Sequence, residues 1–206
     1  MRGTSHALVG IAASSAVAVA AGHGLAVPLL ALGALAGMLP DIDHPHSDLG
    51  RFVPWPSVEV QGKGTFVRTG RKWFGGHTIW HRGETHSLGA AVVATGLAAA
   101  SGIWLAAPGL AQLGWLQPGW AWAGQHPLWL GGVLALVVAL GYTSHLFADL
   151  INPSPQMWGW PVSSKMRRPR HLPAVKSGTL SGWLVEMGIV ALLMAGVWAE
   201  IGRNLL

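Results

Sequence analysis

The residues able to do chemistry in this chain gather in three short clusters. They are Asp41-Ile42-Asp43-His44 between Pro40 and Pro45, His81-Arg82-Gly83-Glu84-Thr85-His86, and His145-Leu146-Phe147-Ala148-Asp149. His145 and Asp149 are spaced i, i+4, so one helix face presents both and offers a two-point grip on a metal ion. The plainer alternative is a polar pair buried between helices, but ionisable groups inside an apolar helix are costly and default to function. Pro40 and Pro45 stiffen the stretch that carries Asp41, Asp43 and His44 and fix the direction of these side chains. Taken alone, that stretch could equally be a helix-ending turn whose Asp side chains cap the backbone. His81 and His86 flank a Gly turn, and Thr85 and Ser87 are placed to cap a following helix. His46 and Asp48 extend the run that begins at Asp41 as weaker candidates. A lone histidine such as His6 is ordinarily a packed core residue; it draws interest by sharing the level of the clusters.

The donor set narrows the chemistry. There is no Cys, which excludes disulfides, thiolate zinc sites and cysteine nucleophiles. Mixed imidazole and carboxylate donors suit zinc, with manganese or iron as alternatives. His6, Asp41, Asp43, His44, His81, His86, His145 and Asp149 outnumber the four ligands of one tetrahedral zinc, so two or three divalent ions are expected. Such sites activate a water and stabilise both the attacking and leaving oxygens of a phosphoester. In that reading Asp43 also takes part in catalysis and Arg82 clamps phosphate oxygens, a task suited to its planar fork. Glu186, about two turns into the last apolar run, either completes the site by orienting water or makes a structural hydrogen bond.

The elements that must position these residues are apolar. The chain has 206 residues, 51% of them hydrophobic and 10% charged, with mean hydropathy +0.42. A soluble domain carries about 25% charged residues, so this is the composition of a membrane protein, read here as one domain over 1–206. Apolar stretches cover 5–21, 25–39, 88–107, 128–150 and 180–201, against about 20 residues for a spanning helix. The predicted fold is all-α: a polytopic integral membrane helical bundle of about five transmembrane helices. The first two stretches are short, and Ala21-Gly22-His23-Gly24 joins them either as a compact spanning hairpin or as a re-entrant pair. The first could also be a signal peptide behind Arg2, whose cleavage would remove His6.

Charge sets the orientation. Of the 13 Lys and Arg, all but Arg203 fall in the N-terminus and the loops 40–87 and 151–179, which five spans place on one side. The positive-inside rule makes that side cytoplasmic, so the metal site is expected at the inner face of the plasma membrane. The 108–127 loop is uncharged and carries Trp115, Trp120 and Trp122, an interfacial belt on the opposite side. The net charge of +5 and pI near 10.5 invite nucleic-acid binding through 63–72 and Lys165–Arg170. Retention and contact with anionic lipid, worth about 1 kcal/mol per basic residue, is the simpler cause. The alternative function is a metal ion transporter or sensor. Transporters hold their ions near the midplane, whereas the outer half of this chain offers only His23 and His126. The 46–80 loop, with Gly62-Lys63-Gly64 and few apolar anchors, reads as a flexible lid.

His6, Leu39-Pro40-Asp41-Ile42-Asp43-His44-Pro45, His81-Arg82-Gly83-Glu84-Thr85-His86-Ser87 and Gly141-Tyr142-Thr143-Ser144-His145-Leu146-Phe147-Ala148-Asp149 together resemble the YdjM-type family of membrane-bound, predicted metal-dependent hydrolases of bacterial inner membranes. Trp160-Pro161 and the stretch from Ser177-Gly178 to Glu186 are also similar, so the resemblance spans nearly the whole chain. It implies a metal-dependent hydrolase, and the ligand pattern looks like that of zinc-dependent phospholipase C and single-strand nuclease sites. The expected level of the site at the inner leaflet favours a lipid or lipid-linked phosphoester as substrate, with membrane lipids as partners. The stretch Asn152-Pro153-Ser154-Pro155-Gln156 departs from the family's more usual Thr-Pro-x-Gly.

Overall fold

The computed structural model describes residues 3–21, 26–61, 67–72, 77–106, 122–123, 125–150 and 155–165, with single positions at 179, 184, 187, 188, 190, 191 and 195. Four helices carry it: α1 (Gly3–Ala21), α2 (Ala26–Met38), α3 (Leu88–Ala106) and α4 (Pro127–Leu150). Each matches an expected apolar stretch to within two residues at either end. The fifth expected stretch, 180–201, lies outside the described residues apart from isolated positions.

α4 is the hub: α1, α2 and α3 all pack on it, and α1 also packs on α2. Small residues allow the close approaches. A Cβ on Gly37 of α2 would lie 2.4 Å from the His6 carbonyl oxygen, and one on Gly10 of α1 would lie 2.3 Å from that of Gly33. Gly141 of α4 also sits close against α2, where a Cβ would meet Gly33 O at 2.8 Å. Helices without side chains at their crossing points pack backbone to backbone, as is common in lipid. Ala18, Ala21, Leu29, Leu130 and Val137 fill the end of the bundle away from the clusters, and Ala91, Tyr142 and Leu146 pack beside them.

α4 has 24 residues and is, among the described residues, the one helix both long and apolar enough to cross a membrane. It extends about 36 Å at 1.5 Å per residue, beyond the roughly 30 Å of a bilayer core. α3 is apolar from Leu88 to Trp104, and the 13 residues of α2 reach only about 20 Å. The expected count of about five transmembrane helices thus reduces, for the described residues, to a largely helical chain with one helix that meets both criteria.

The all-α expectation is corrected by a small antiparallel sheet, ordered β1 (Ser57–Gln61), β2 (Val67–Lys72), β3 (Thr78–Trp80). Ser57 pairs with Arg71 and Gln61 with Val67, while Gly70 pairs with Trp80 and Lys72 with Thr78. Val58, Val60, Val67, Thr69, Thr78 and Ile79 are β-branched and suit a pleated surface. The lid reading is corrected with it for the described part of 46–80. Arg71 is buried, and its guanidinium donates to the carbonyls of Gly50, Val53 and Trp55. One cation therefore ties β2 to the preceding turns. The His81 N–H donates to Thr69 O at 2.9 Å, so the sheet leads directly into the second cluster.

Candidate metal centre

Five segments converge on one point. α1 supplies His6, the 3-10 turn Leu39–Asp43 supplies Asp41 and Asp43, and the turn after β3 supplies His81 and Arg82. The 3-10 turn Glu84–His86 supplies His86, and the last turns of α4 supply His145 and Asp149. Three overlapping triads result: His6, Asp41 and His145; Asp41, His81 and His86; His86, His145 and Asp149. Within each, one ligand atom per residue lies within 4.8 Å of the others. His6, His86, His145, Asp43 and Asp149 are buried.

The glycine crossing of α1, α2 and α4 sets the inner wall. The rings of His6 and His145 stack with centroids 3.6 Å apart. His145 Nδ1 lies 2.7 Å from Gly37 O, so it donates there and Nε2 is left to face the cluster, the usual way a ligand histidine is oriented. Nε2 then stands 3.6 Å from Asp41 Oδ1, 3.8 Å from Asp149 Oδ2 and 3.3 Å from His86 Nε2. His86 Nε2 also lies 3.3 Å from Asp41 Oδ1.

Asp43 belongs to none of the three triads. Its Oδ1 accepts from His81 Nδ1 at 3.0 Å and its Oδ2 accepts from the Thr85 hydroxyl. This is the carboxylate–histidine arrangement that orients a ligand ring. Tyr142, three residues before His145, donates to the Thr85 carbonyl and locks that turn. His44 also stands outside the triads, edge-on to His81 with centroids 4.6 Å apart. Its Nδ1 accepts the His46 N–H, and it lines the cavity mouth. Arg82 lies in the left-handed region, with φ 62, which is uncommon for a non-glycine residue and marks functional turns. Its Nη2 donates to Asp149 Oδ2 at 2.9 Å. Arg82 thus braces a carboxylate of the cluster as well as lining the cavity. Ser87 caps α3, accepting from the Ala90 N–H at 3.1 Å, whereas Thr85 serves Asp43 instead of the helix. Glu186 lies outside the described residues.

A cavity of about 510 Å³ opens beside the cluster, lined by Thr4, His6, Asp41, His44, His81, Arg82 and Asp149 among others. Charges at its floor are displaced from their ordinary values. Burial pushes the Asp41 carboxyl up, but the neighbouring His145 and His86 outweigh it and hold it well below the carboxylate range. Asp43 behaves alike, with bonds from His81 and His86 overcoming burial. Burial pushes the His86 ring down, yet its bonds to Asp41 and Asp43 hold it up at about 9. For His44, burial and the nearby His81 act together and lower it.

The residues present fit a metal. The donors are the hard and borderline set that divalent zinc, manganese and iron prefer, and the buried His6 Nδ1 has no hydrogen-bond partner among the described residues. The family of YdjM inner membrane proteins matches residues 1–204. The chain belongs to the YdjM inner membrane protein family. Within it, the inner membrane protein YdjM of Escherichia coli (strain K12) is 31% identical over 196 residues, covering 90% of this chain and 78% of that protein. The Shigella flexneri protein of the same name aligns with the same figures. No solved structure matches.

Proposed function

We propose that this YdjM family member is an integral inner-membrane, metal-dependent hydrolase that cleaves a phosphoester of a lipid or lipid-linked substrate at the cytoplasmic face. The observation that carries this reading is the sharing of Asp41 between two of the three triads. Asp41 presents Oδ1 to both His86 and His145, so one carboxylate could serve both ligand sets, whereas His145, with Nδ1 bonded to Gly37, has one nitrogen to give. His6, Asp41 and His145 would hold one ion, with Asp149 beside them, and Asp41, His81 and His86 would hold the second. That division would use both His86 and His145, so the third triad would form no separate site and the set would take two ions.

When bound, such a pair supplies Lewis-acid polarisation of a phosphoryl oxygen and activation of a water for attack. The chain's own residues do the rest. Asp43 and Thr85 fix the His81 ring. Arg82 holds Asp149 and stands at the cavity wall where phosphate oxygens enter. Burial of the cluster beneath a polar mouth keeps bulk water away from the charged groups, which strengthens every electrostatic contact there.

For the membrane arrangement we read α1, α3, α4 and the 180–201 stretch as spanning, with the short α2 completing a hairpin, and the N-terminus in the cytoplasm. Exposed apolar side chains along the helices, among them Val27, Val92, Leu97, Trp104 and Leu136, support a lipid environment, since soluble monomers rarely expose contiguous apolar patches. The test is release of phosphate or a phosphorylated headgroup from vesicles of defined phospholipids and polyprenyl phosphates. Wild-type protein loaded with zinc or manganese turns over, and Asp41→Asn does not. Equal rates for the two proteins on every substrate would sink the proposal.

A further inference from the structure

Beside Thr85 lies a second, apolar groove of about 630 Å³ between α3 and α4. Its walls are Ala90, Ala94, Leu97 and Ser101 of α3 with Val138 and Tyr142 of α4, and Leu39 and Ile42 reach it from the first cluster's turn. Val93 is 57% and Leu97 64% exposed, so the groove opens sideways along the apolar α3, beside the spanning-length α4. From Ala90 to Ser101 it runs about 16 Å at 1.5 Å per residue. Half of a roughly 30 Å hydrocarbon core is about 15 Å, the depth of one leaflet and the reach of one acyl chain.

One end is polar. Glu84 and Thr85 line it just ahead of α3, and the Trp160 carbonyl abuts Gly89 there. Glu84 Oε1 faces the exposed His77 ring at 3.3 Å, but Oε2 is buried and lacks a hydrogen-bond partner among the described residues. A buried acceptor left unmade is costly, and a carboxylate there attracts a cationic donor and repels an anionic head. The Thr85 hydroxyl bonds Asp43 and its carbonyl accepts from Tyr142, so one residue separates this end from the metal cluster.

We propose that the groove seats one acyl chain of a bilayer phospholipid with an ammonium headgroup, and that Glu84 receives the ammonium. This goes beyond the hydrolase reading and concerns binding alone: a filled groove in a protein without lipid hydrolysis keeps this inference and removes the other. The test uses full-length protein in lipid nanodiscs containing phosphatidylethanolamine with a photoreactive diazirine in one acyl chain. Adducts are expected on Ala90–Ser101 and Val138–Tyr142. Unlabelled phosphatidylethanolamine should displace them several-fold better than phosphatidylglycerol. Ala94→Trp should reduce these adducts several-fold while bound metal is retained, and Glu84→Gln should abolish the headgroup preference while adducts persist. Adducts spread evenly over every exposed helix face would reduce the groove to ordinary lipid contact and overturn the proposal. So would a diazirine amino acid at Ala94 that captures another segment of this chain in place of lipid. An unchanged headgroup preference in Glu84→Gln would remove Glu84 from the site.

Discussion

At the residue scale, Asp41 and Asp43 look interchangeable in sequence and differ in what they touch. Asp41 faces His86 and His145 within 3.6 Å, while Asp43 is held by His81 and Thr85. Asp41→Asn should therefore cost both ions. Asp43→Asn should leave the stoichiometry at saturation and weaken affinity roughly 10–100-fold, the usual cost of losing an orienting partner. Competition against a metallochromic chelator separates the two, and equal losses would contradict the assignment. The His86 ring, held at about 9 in the metal-free protein, gives a second prediction. A cation binding at neutral pH must displace that proton, so affinity rises about tenfold per pH unit toward 9 and then levels. Calorimetry in buffers of different ionisation enthalpy should count about one proton released; none would contradict the account. The sign for stability follows. His86 is raised, so its contribution to the metal-free fold is complete below 6.5 and lost as pH climbs through about 9. Asp41 and Asp43 are lowered, so theirs is complete above 3.8 and fades in acid. Thermal unfolding in chelator should peak between these limits.

At the element scale, the glycine crossing sets the site. Gly37→Ala would press a methyl group onto the His6 carbonyl at 2.4 Å, and overpacking of this kind costs about 1–3 kcal/mol. It would also shift the Gly37 carbonyl that orients His145, so lower thermal stability should come with weaker metal binding; a fully wild-type variant would show the crossing is slack. Arg71→Ala would orphan three carbonyls, at about 1–3 kcal/mol for each that stays buried. Faster amide exchange across Ser57–Gln61 and Val67–Lys72 is expected. Sequence made the helices legible because each apolar run ends at a Gly, Pro or polar cluster. It also exposed the shared face of His145 and Asp149. The sheet was hidden because Val58 and Val60 make too short an alternation among Gly and Pro, and its anchor, Arg71, reads as one more basic surface residue. The roles of Gly37 and Tyr142 were hidden too, since each depends on a contact with a distant element. The one usable signal was Tyr142, the single Tyr of the chain, three residues before His145 on the same helix.

At the scale of the whole molecule, the chain places one charged, metal-competent centre at the end of an apolar bundle. The absence of Cys makes the orientation testable with single introduced thiols. Ser47→Cys, at the cavity mouth, should react with a membrane-impermeant maleimide only after the inner membrane is permeabilised. Ala121→Cys, in the Trp-rich loop, should react in intact spheroplasts. The reverse pattern would invert the topology and move the chemistry to the outer face.

The central claim is a two-ion centre whose ligand sets share Asp41, and elemental analysis of the detergent-purified protein tests it most directly. Two equivalents of zinc, manganese or iron per chain, falling to about one in the His145→Ala/Asp149→Ala double variant because Asp41, His81 and His86 remain, is the predicted result. No stoichiometric metal, even after reconstitution with each ion, would contradict the account and leave the histidine–aspartate cluster as a structural polar core.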